Sequence, residues 1–146
     1  MIVVADTGPL LAAANVRDRA HGIAAELIAR LGRRLVVPEP VIVEADHLLR
    51  ARVGRRSARL LLEALAAGEH EVGFATPALL RRAVELDQTY RDLELGYCDA
   101  LVMAYAERHD APVLTFDFAH FRATAPVRGE WRLVLDEAGY RAATSG

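Results

Sequence analysis

The sequence predicts an α/β fold: a mostly parallel, five-stranded sheet with helices on both faces. Three observations predict it. Short apolar runs alternate with longer amphipathic stretches along the 146 residues, and strand–helix alternation implies parallel pairing through right-handed crossovers. The strand candidates are near-continuous apolar runs rather than apolar/polar alternations, the pattern of strands buried on both faces. No repeat, low-complexity tract or long Pro/Gly/Ser linker interrupts the alternation, and the length suits one domain over residues 1–146.

The elements follow in order. Ile2 to Ala5 reads as a buried strand, stopped by Thr7-Gly8-Pro9. Pro9 to Asn15 reads as a short helix. Asp18 is placed to cap a longer one through Leu31, with Ile23, Leu27, Ile28 and Leu31 on one face and Gly32 as its stop. Leu35 to Val37 is a second strand, broken by Pro38. Pro40 suits the first turn of a helix that turns Val41, Ile42, Ala45, Leu48 and Leu49 inward and ends at Gly54. Ser57 to Ala67 forms the next helix, with Leu60, Leu61, Ala64 and Leu65 as its stripe; it has the position of a projecting clip. Val72 to Ala75 is a third strand. Thr76-Pro77 supplies a capping hydroxyl and a Pro at the first helical position, opening a helix to about Arg91 with Leu79, Leu80, Ala83, Val84 and Leu86 apolar. Cys98 to His109 is a helix, Pro112 to Phe116 a fourth strand and Trp131 to Leu135 a fifth.

Four acids recur in apolar settings: Asp6 just after the first strand, Glu44 after the second, Asp99 near the start of a helix, and Asp117 just after the fourth strand. Taken singly, each has an ordinary structural role. Asp6 suits an Asx turn, Asp99 an N-cap, Asp117 a turn, and Glu44 an exposed helix face. Taken together, they collect at the carboxyl edge of the sheet, where open parallel sheets place their ligands. Carboxylates crowded there repel one another and raise at least one pKa, which a cation would relieve. Oxygen ligands select Mg²⁺ or Mn²⁺ rather than Zn²⁺. Cys98 is alone, and His21, His47, His70, His109 and His120 are scattered without zinc-ligand spacing, so they read as surface or satisfied residues. Carboxylate-held Mg²⁺ points to phosphoryl transfer or phosphodiester hydrolysis.

Composition narrows the alternatives. All 18 basic residues are arginine. Without lysine there is no P-loop phosphate clamp and no Schiff-base chemistry. A single cysteine allows no internal disulfide and fits a reducing cytoplasm. The longest run free of formal charge, Thr7 to Val16, is too short to span a bilayer, and no basic segment precedes the apolar start as a signal peptide would require. The net charge of -2 shows no global basic bias. Local arginines suited to a polyanion are Arg17 and Arg19 after the first strand, and Arg50, Arg52, Arg55, Arg56 and Arg59 across a helix–helix join. The second group equally suits a solvated face or a protein contact.

Ile2-Val-Val-Ala-Asp-Thr7, Val41-Ile-Val-Glu-Ala-Asp-His-Leu48, Gly96-Tyr-Cys-Asp-Ala-Leu101 and Leu114-Thr-Phe-Asp-Phe-Ala-His-Phe121 resemble the successive motifs of PIN-domain ribonucleases. The size and ending resemble the VapC toxins of toxin–antitoxin pairs. The resemblance covers nearly the whole chain. It implies a PIN-like three-layer α/β/α sandwich with a five-stranded sheet and Mg²⁺-dependent endoribonuclease activity. It also implies homodimerisation and inhibition by a cognate VapB-like antitoxin filling the cleft. By the same resemblance Asp6, Glu44, Asp99 and Asp117 form the acidic quartet, and Thr7 and Thr115 stand where the family often has a small supporting hydroxyl.

Other acid-bearing doubly wound folds fit less well. A response-regulator receiver relies on a lysine near its aspartate, and haloacid-dehalogenase-type phosphatases need a second Asp two positions after the first, where this chain has Gly8. Two readings that keep the fold stay open: a non-catalytic module binding RNA or protein, and a PIN nuclease in RNA processing outside a toxin pair.

Overall fold

The computed structural model describes residues 1–146. Four strands, β1 (Val3–Ala5), β2 (Leu35–Pro38), β3 (Glu71–Gly73) and β4 (Val113–Leu114), pair in the order β3-β2-β1-β4. All the pairings are parallel, with Val4 opposite both Val36 and Val113. β1, β2 and β4 are buried at every position, as their unbroken apolar character requires in a sheet covered on both faces. The architecture is the three-layer α/β/α sandwich.

The expected fifth strand is a correction. Trp131 to Leu135 touches the sheet through a single bridge, Val113 to Leu133, held by Val113 N–H to Arg132 O at 2.9 Å and Val134 N–H to Val113 O at 3.0 Å. β4 has only two residues, so little ladder is available beside it. The candidate strand is half-buried with Arg132 exposed, and Asp136 then caps the next helix.

Eight helices complete the chain: α1 (Thr7–Ala13), α2 (His21–Leu31), α3 (Glu39–Arg52), α4 (Arg55–Ala66), α5 (Pro77–Thr89), α6 (Gly96–Arg108), α7 (Phe118–Ala123) and α8 (Glu137–Thr144). Thr76 caps α5 as expected, its hydroxyl accepting Leu79 N–H at 3.2 Å. Asp18 does not cap α2; its carboxylate closes a turn on Ala20 N–H at 2.8 Å and the helix starts at His21. Asp99 is no cap either, since α6 opens earlier, at Gly96. There φ is 74°, a left-handed conformation that glycine adopts without a Cβ penalty.

Leu60, Leu80 and Val84 do not face inward: they are 53%, 42% and 56% exposed. Helix periodicity assigned them to an apolar face wider than the one that neighbouring helices cover. α4 buries only Ala58 and Leu65, and α5 buries Leu79, Ala83 and Leu86. α6 is the central helix. It packs on α3, α5, β1 and β2 and buries six residues from Ala100 to Ala106, so Asp99 in its first turn is rigidly placed. No helix is long and apolar enough to cross a membrane.

Candidate metal and active site

Asp6 follows β1 directly and is 7% exposed. Its backbone N–H still donates to Leu114 O at 2.9 Å, so the adjacent strands β1 and β4 fix where its side chain begins. Its Oδ1 accepts Thr7 N–H at 2.8 Å, capping α1, and its Oδ2 accepts the Thr115 hydroxyl at 2.7 Å. The same hydroxyl oxygen accepts Asp117 N–H at 2.9 Å. Thr115, fully buried just past β4, therefore ties two of the acids to one another.

Asp117 caps α7, its Oδ1 accepting His120 N–H at 3.2 Å. A residue three positions into a helix turns back over its cap, and His120 Nδ1 lies 2.6 Å from Asp117 Oδ2 and 3.6 Å from Asp99 Oδ2. The shorter contact is close enough for a hydrogen bond but poorly directed, and buried Nδ1 has no well-formed partner. One ligand atom from each of Asp99, Asp117 and His120 lies within 4.8 Å of the others. Asp6 and half-buried Glu44 stand outside this tight group but near enough for their charges to act on Asp99.

The electrostatics follow from burial and crowding. Burial raises the Asp6 carboxyl above its ordinary range, and Asp117 and Glu44 add to the rise; the hydrogen bonds from Thr115 and Thr7 oppose it. Asp99 is raised to about 6, first by burial and then by the charge of Asp6, with Asp117 and Glu44 adding and His120 opposing. Cys98 lies beside the group, its Sγ 3.9 Å from Thr7 Oγ1. Burial and then the Glu44 charge push its thiol up to about 12, so at neutral pH it is a protonated, half-buried thiol rather than a thiolate nucleophile.

Converging carboxylates, of which Asp6 and Asp99 resist ionisation, beside a buried nitrogen that makes no well-formed hydrogen bond, fit a divalent cation, which would offset the crowded negative charge. The side chains of Asp99, Asp117 and His120 are 28%, 38% and 28% exposed, so the group opens on a partly accessible face. The larger hollows lie elsewhere. One of ≈ 420 Å³ is lined by Phe118, Arg122, Trp131 and Glu137 among others. Another of the same volume is lined by Asn15, Arg17, Arg52 and Ser57. A polymer laid across the acidic face needs no enclosed cavity, so geometry and chemistry decide the site here rather than volume.

Residues 3–126 match the PIN domain family model. The chain belongs to the PIN-domain family. Ribonuclease VapC26 of Mycobacterium tuberculosis is 31% identical over 128 residues, spanning 87% of this chain and 95% of that protein. Among solved structures, M. tuberculosis VapC20, described as a sarcin–ricin loop cleaving toxin, superposes with a TM-score of 0.75 at 24% identity, covering 87% of this chain and 99% of that one. A chain of a toxin–antitoxin complex from Klebsiella pneumoniae gives 0.63 at 17%, over 90% of this chain and 99% of that one. At those identities the two structures speak for the fold. The VapC-type resemblance and the α/β sandwich agree with what the motifs implied.

Within this PIN domain the expected residues take distinct places. Asp99 and Asp117 join the tight group, Asp6 is locked beside it, and Glu44 on α3 stays outside it, near enough for its charge to act on Asp99. Thr115 supports Asp6 and Asp117 through its hydroxyl, whereas Thr7 supports Asp6 only through its backbone N–H. Arg50 is paired with Asp46 at 3.0 Å. Arg17, Arg19, Arg55 and Arg56 are exposed, and Arg17 meets Arg52 around one hollow although they are distant in sequence. His120 is the residue that sequence reasoning missed. Its signal was present in Asp117-Phe-Ala-His120: an aspartate at a helix start with a metal-competent side chain three positions on. His21 and His70, by contrast, are satisfied by the carbonyls of Ala12 and Gly32, as expected.

Proposed function

We propose that the protein is a divalent-metal-dependent endoribonuclease, the toxin of a VapBC-type pair, with Mg²⁺ or Mn²⁺ as its cofactor. The observation that carries this reading is the Thr115 hydroxyl joining Asp6 to Asp117 beside Asp99. The 31% identity to a protein named Ribonuclease VapC26 supports the substrate class.

In this reading Asp6, Glu44, Asp99 and Asp117 are the catalytic, metal-holding acids, and Thr7 and Thr115 support them. A divalent ion held there would polarise a phosphodiester oxygen and make water a competent nucleophile near neutral pH. The chain supplies the positioning. Strand ends β1 and β4 fix Asp6 and Asp117, the central helix α6 fixes Asp99, and α3 brings Glu44. Fixed carboxylates need little reorganisation when charge develops on the phosphate. An acidic face alone repels RNA, so the exposed arginines, Arg17, Arg19, Arg55 and Arg56, are the groups that would draw the backbone in without reading its sequence. The same arginines suit contact with an antitoxin. The active protein is a homodimer in the cytoplasm, inhibited when a VapB-like antitoxin fills the cleft.

The test incubates purified protein, freed of any partner, with structured RNAs in the presence and absence of Mg²⁺ or Mn²⁺. The expected result is cleavage that EDTA abolishes and that Asp6→Asn and Asp99→Asn lose while still binding RNA. Binding without cleavage under any metal would make this a non-catalytic module. Cleavage by a protein whose expression leaves growth equal to that of Asp99→Asn would remove the toxin role and leave a processing nuclease.

A further inference from the structure

His120 brings a nitrogen to a group that is otherwise all oxygen. Its place is not left to chance. Its N–H is held by Asp117 Oδ1, and its carbonyl accepts the Thr124 hydroxyl at 2.9 Å. Trp131 Nε1 in turn donates to Thr124 Oγ1 at 3.0 Å, and Phe121 next to His120 is buried against the Trp131 ring. Both ends of the residue are thus anchored, and Nδ1 is left facing Asp117 Oδ2 and Asp99 Oδ2 at 2.6 and 3.6 Å without a well-directed hydrogen bond. A buried nitrogen this close to two carboxylate oxygens, yet well aligned with neither, needs a reason. A ligand nitrogen awaiting a cation supplies one. An imidazole serving only to orient Asp117 would instead point its N–H along the carboxylate lone pair.

We propose that His120 Nδ1 is a ligand of the divalent ion, so that the site is a mixed oxygen–nitrogen one that favours Mn²⁺ over Mg²⁺. The proposal rests on the reading of this group as a metal site. Mg²⁺ holds to oxygen donors and its own water, whereas imidazole nitrogen favours first-row transition ions. Mn²⁺ is the member of that series that also suits a carboxylate-rich set. Burial of Nδ1 against two carboxylates fixes which ring nitrogen faces the ion.

The test is pulsed electron paramagnetic resonance of Mn²⁺ bound to the full chain, with any histidine tag removed. No other histidine belongs to this group, so the wild-type spectrum is decisive: a ¹⁴N coupling from a directly bound imidazole is expected. His120→Asn places a carboxamide oxygen near the position of Nδ1. It should bind Mn²⁺ without the ¹⁴N coupling and lose on the order of 10-fold in its preference for Mn²⁺ over Mg²⁺. Bound Mn²⁺ with no ¹⁴N coupling in the wild type, or a coupling unchanged in His120→Asn, overturns the proposal but leaves an oxygen-only metal site standing. Mn²⁺ binding unaffected by Asp99→Asn places the ion elsewhere and overturns the underlying reading as well.

Discussion

Both carboxylate oxygens of Asp6 accept hydrogen bonds, yet its two threonine partners contribute differently. Thr115 offers its hydroxyl to Asp6 and takes the Asp117 N–H, while the Thr7 hydroxyl faces only Cys98. Thr115→Val strands the partly buried Asp117 N–H and removes a donor from the buried Asp6 carboxylate, costing about 1–3 kcal/mol of stability. It should also weaken metal binding roughly 10–100-fold, the usual effect of removing a group that orients ligands. Thr115→Ser should restore most of both, and Thr7→Val should leave metal affinity unchanged. Calorimetric titration and thermal melting of the three variants check this, and equal losses in Thr115→Val and Thr7→Val would refute it. The raised pKa of Asp99 gives a pH prediction of definite sign. Its folded value of about 6 lies above the ordinary aspartate value of 3.8, so the metal-free folded state binds the proton more tightly than the unfolded chain does. This contribution to stability is full below about pH 4 and is lost as pH rises through about 6. A divalent ion must displace that proton, so the gain in melting temperature from Mg²⁺ or Mn²⁺ should grow from pH 5 to 7.5 (roughly spanning the Asp99 titration). A gain that is flat across this range would mean that Asp99 is not a ligand.

At the scale of elements, how much was legible depended on whether the signal was local. Thr76-Pro77 announced α5 because a capping hydroxyl and a proline act within one turn. β1, β2 and β4 showed as apolar runs because both of their faces are covered. Asp6 and Asp117 were legible for the same reason: each closely follows such a run. His120 was less so: its spacing from Asp117 is local, but its approach to Asp99 comes from a different helix. The fifth strand failed because an apolar run does not reveal how much ladder its neighbour offers, and β4 offers two residues. Gly73 shows a further non-local constraint. A Cβ there would lie 2.9 Å from Val36 Cγ1 and 3.0 Å from the Tyr105 ring, so β3 lies against α6 as closely as it does only because position 73 lacks a side chain. Gly73→Ala should therefore destabilise the protein by about 1–3 kcal/mol, the usual penalty for overpacking. Chemical denaturation should show a lower midpoint at unchanged slope, and no shift would mean that Val36 and Tyr105 yield freely.

For the whole molecule, the net charge of -2 hides local groupings of like charge. The acids converge at the carboxyl ends of β1 and β4, and exposed arginines lie on the α1–α2 connection and at the α3–α4 join. Folding brings these two arginine segments together, since Arg17 and Arg52 line one hollow with Ser57. Arg50 is set apart from them by its pairing with Asp46. If this basic surface holds the RNA backbone while the metal group holds the reacting phosphate, binding must weaken with salt in proportion to the phosphates contacted. For a single strand, each contact contributes about 0.7 to the slope of log affinity against log salt concentration. In the Asp99→Asn background, where binding is read without cleavage, Arg17→Ala, Arg55→Ala and Arg56→Ala should each reduce that slope by about 0.7, and Arg50→Ala should leave it unchanged. Filter-binding or fluorescence titrations at several salt concentrations read this directly. Unchanged slopes in all four variants, together with weakened binding to the antitoxin, would assign the arginines to the inhibitor, and the RNA path would then have to run from the acidic group in another direction.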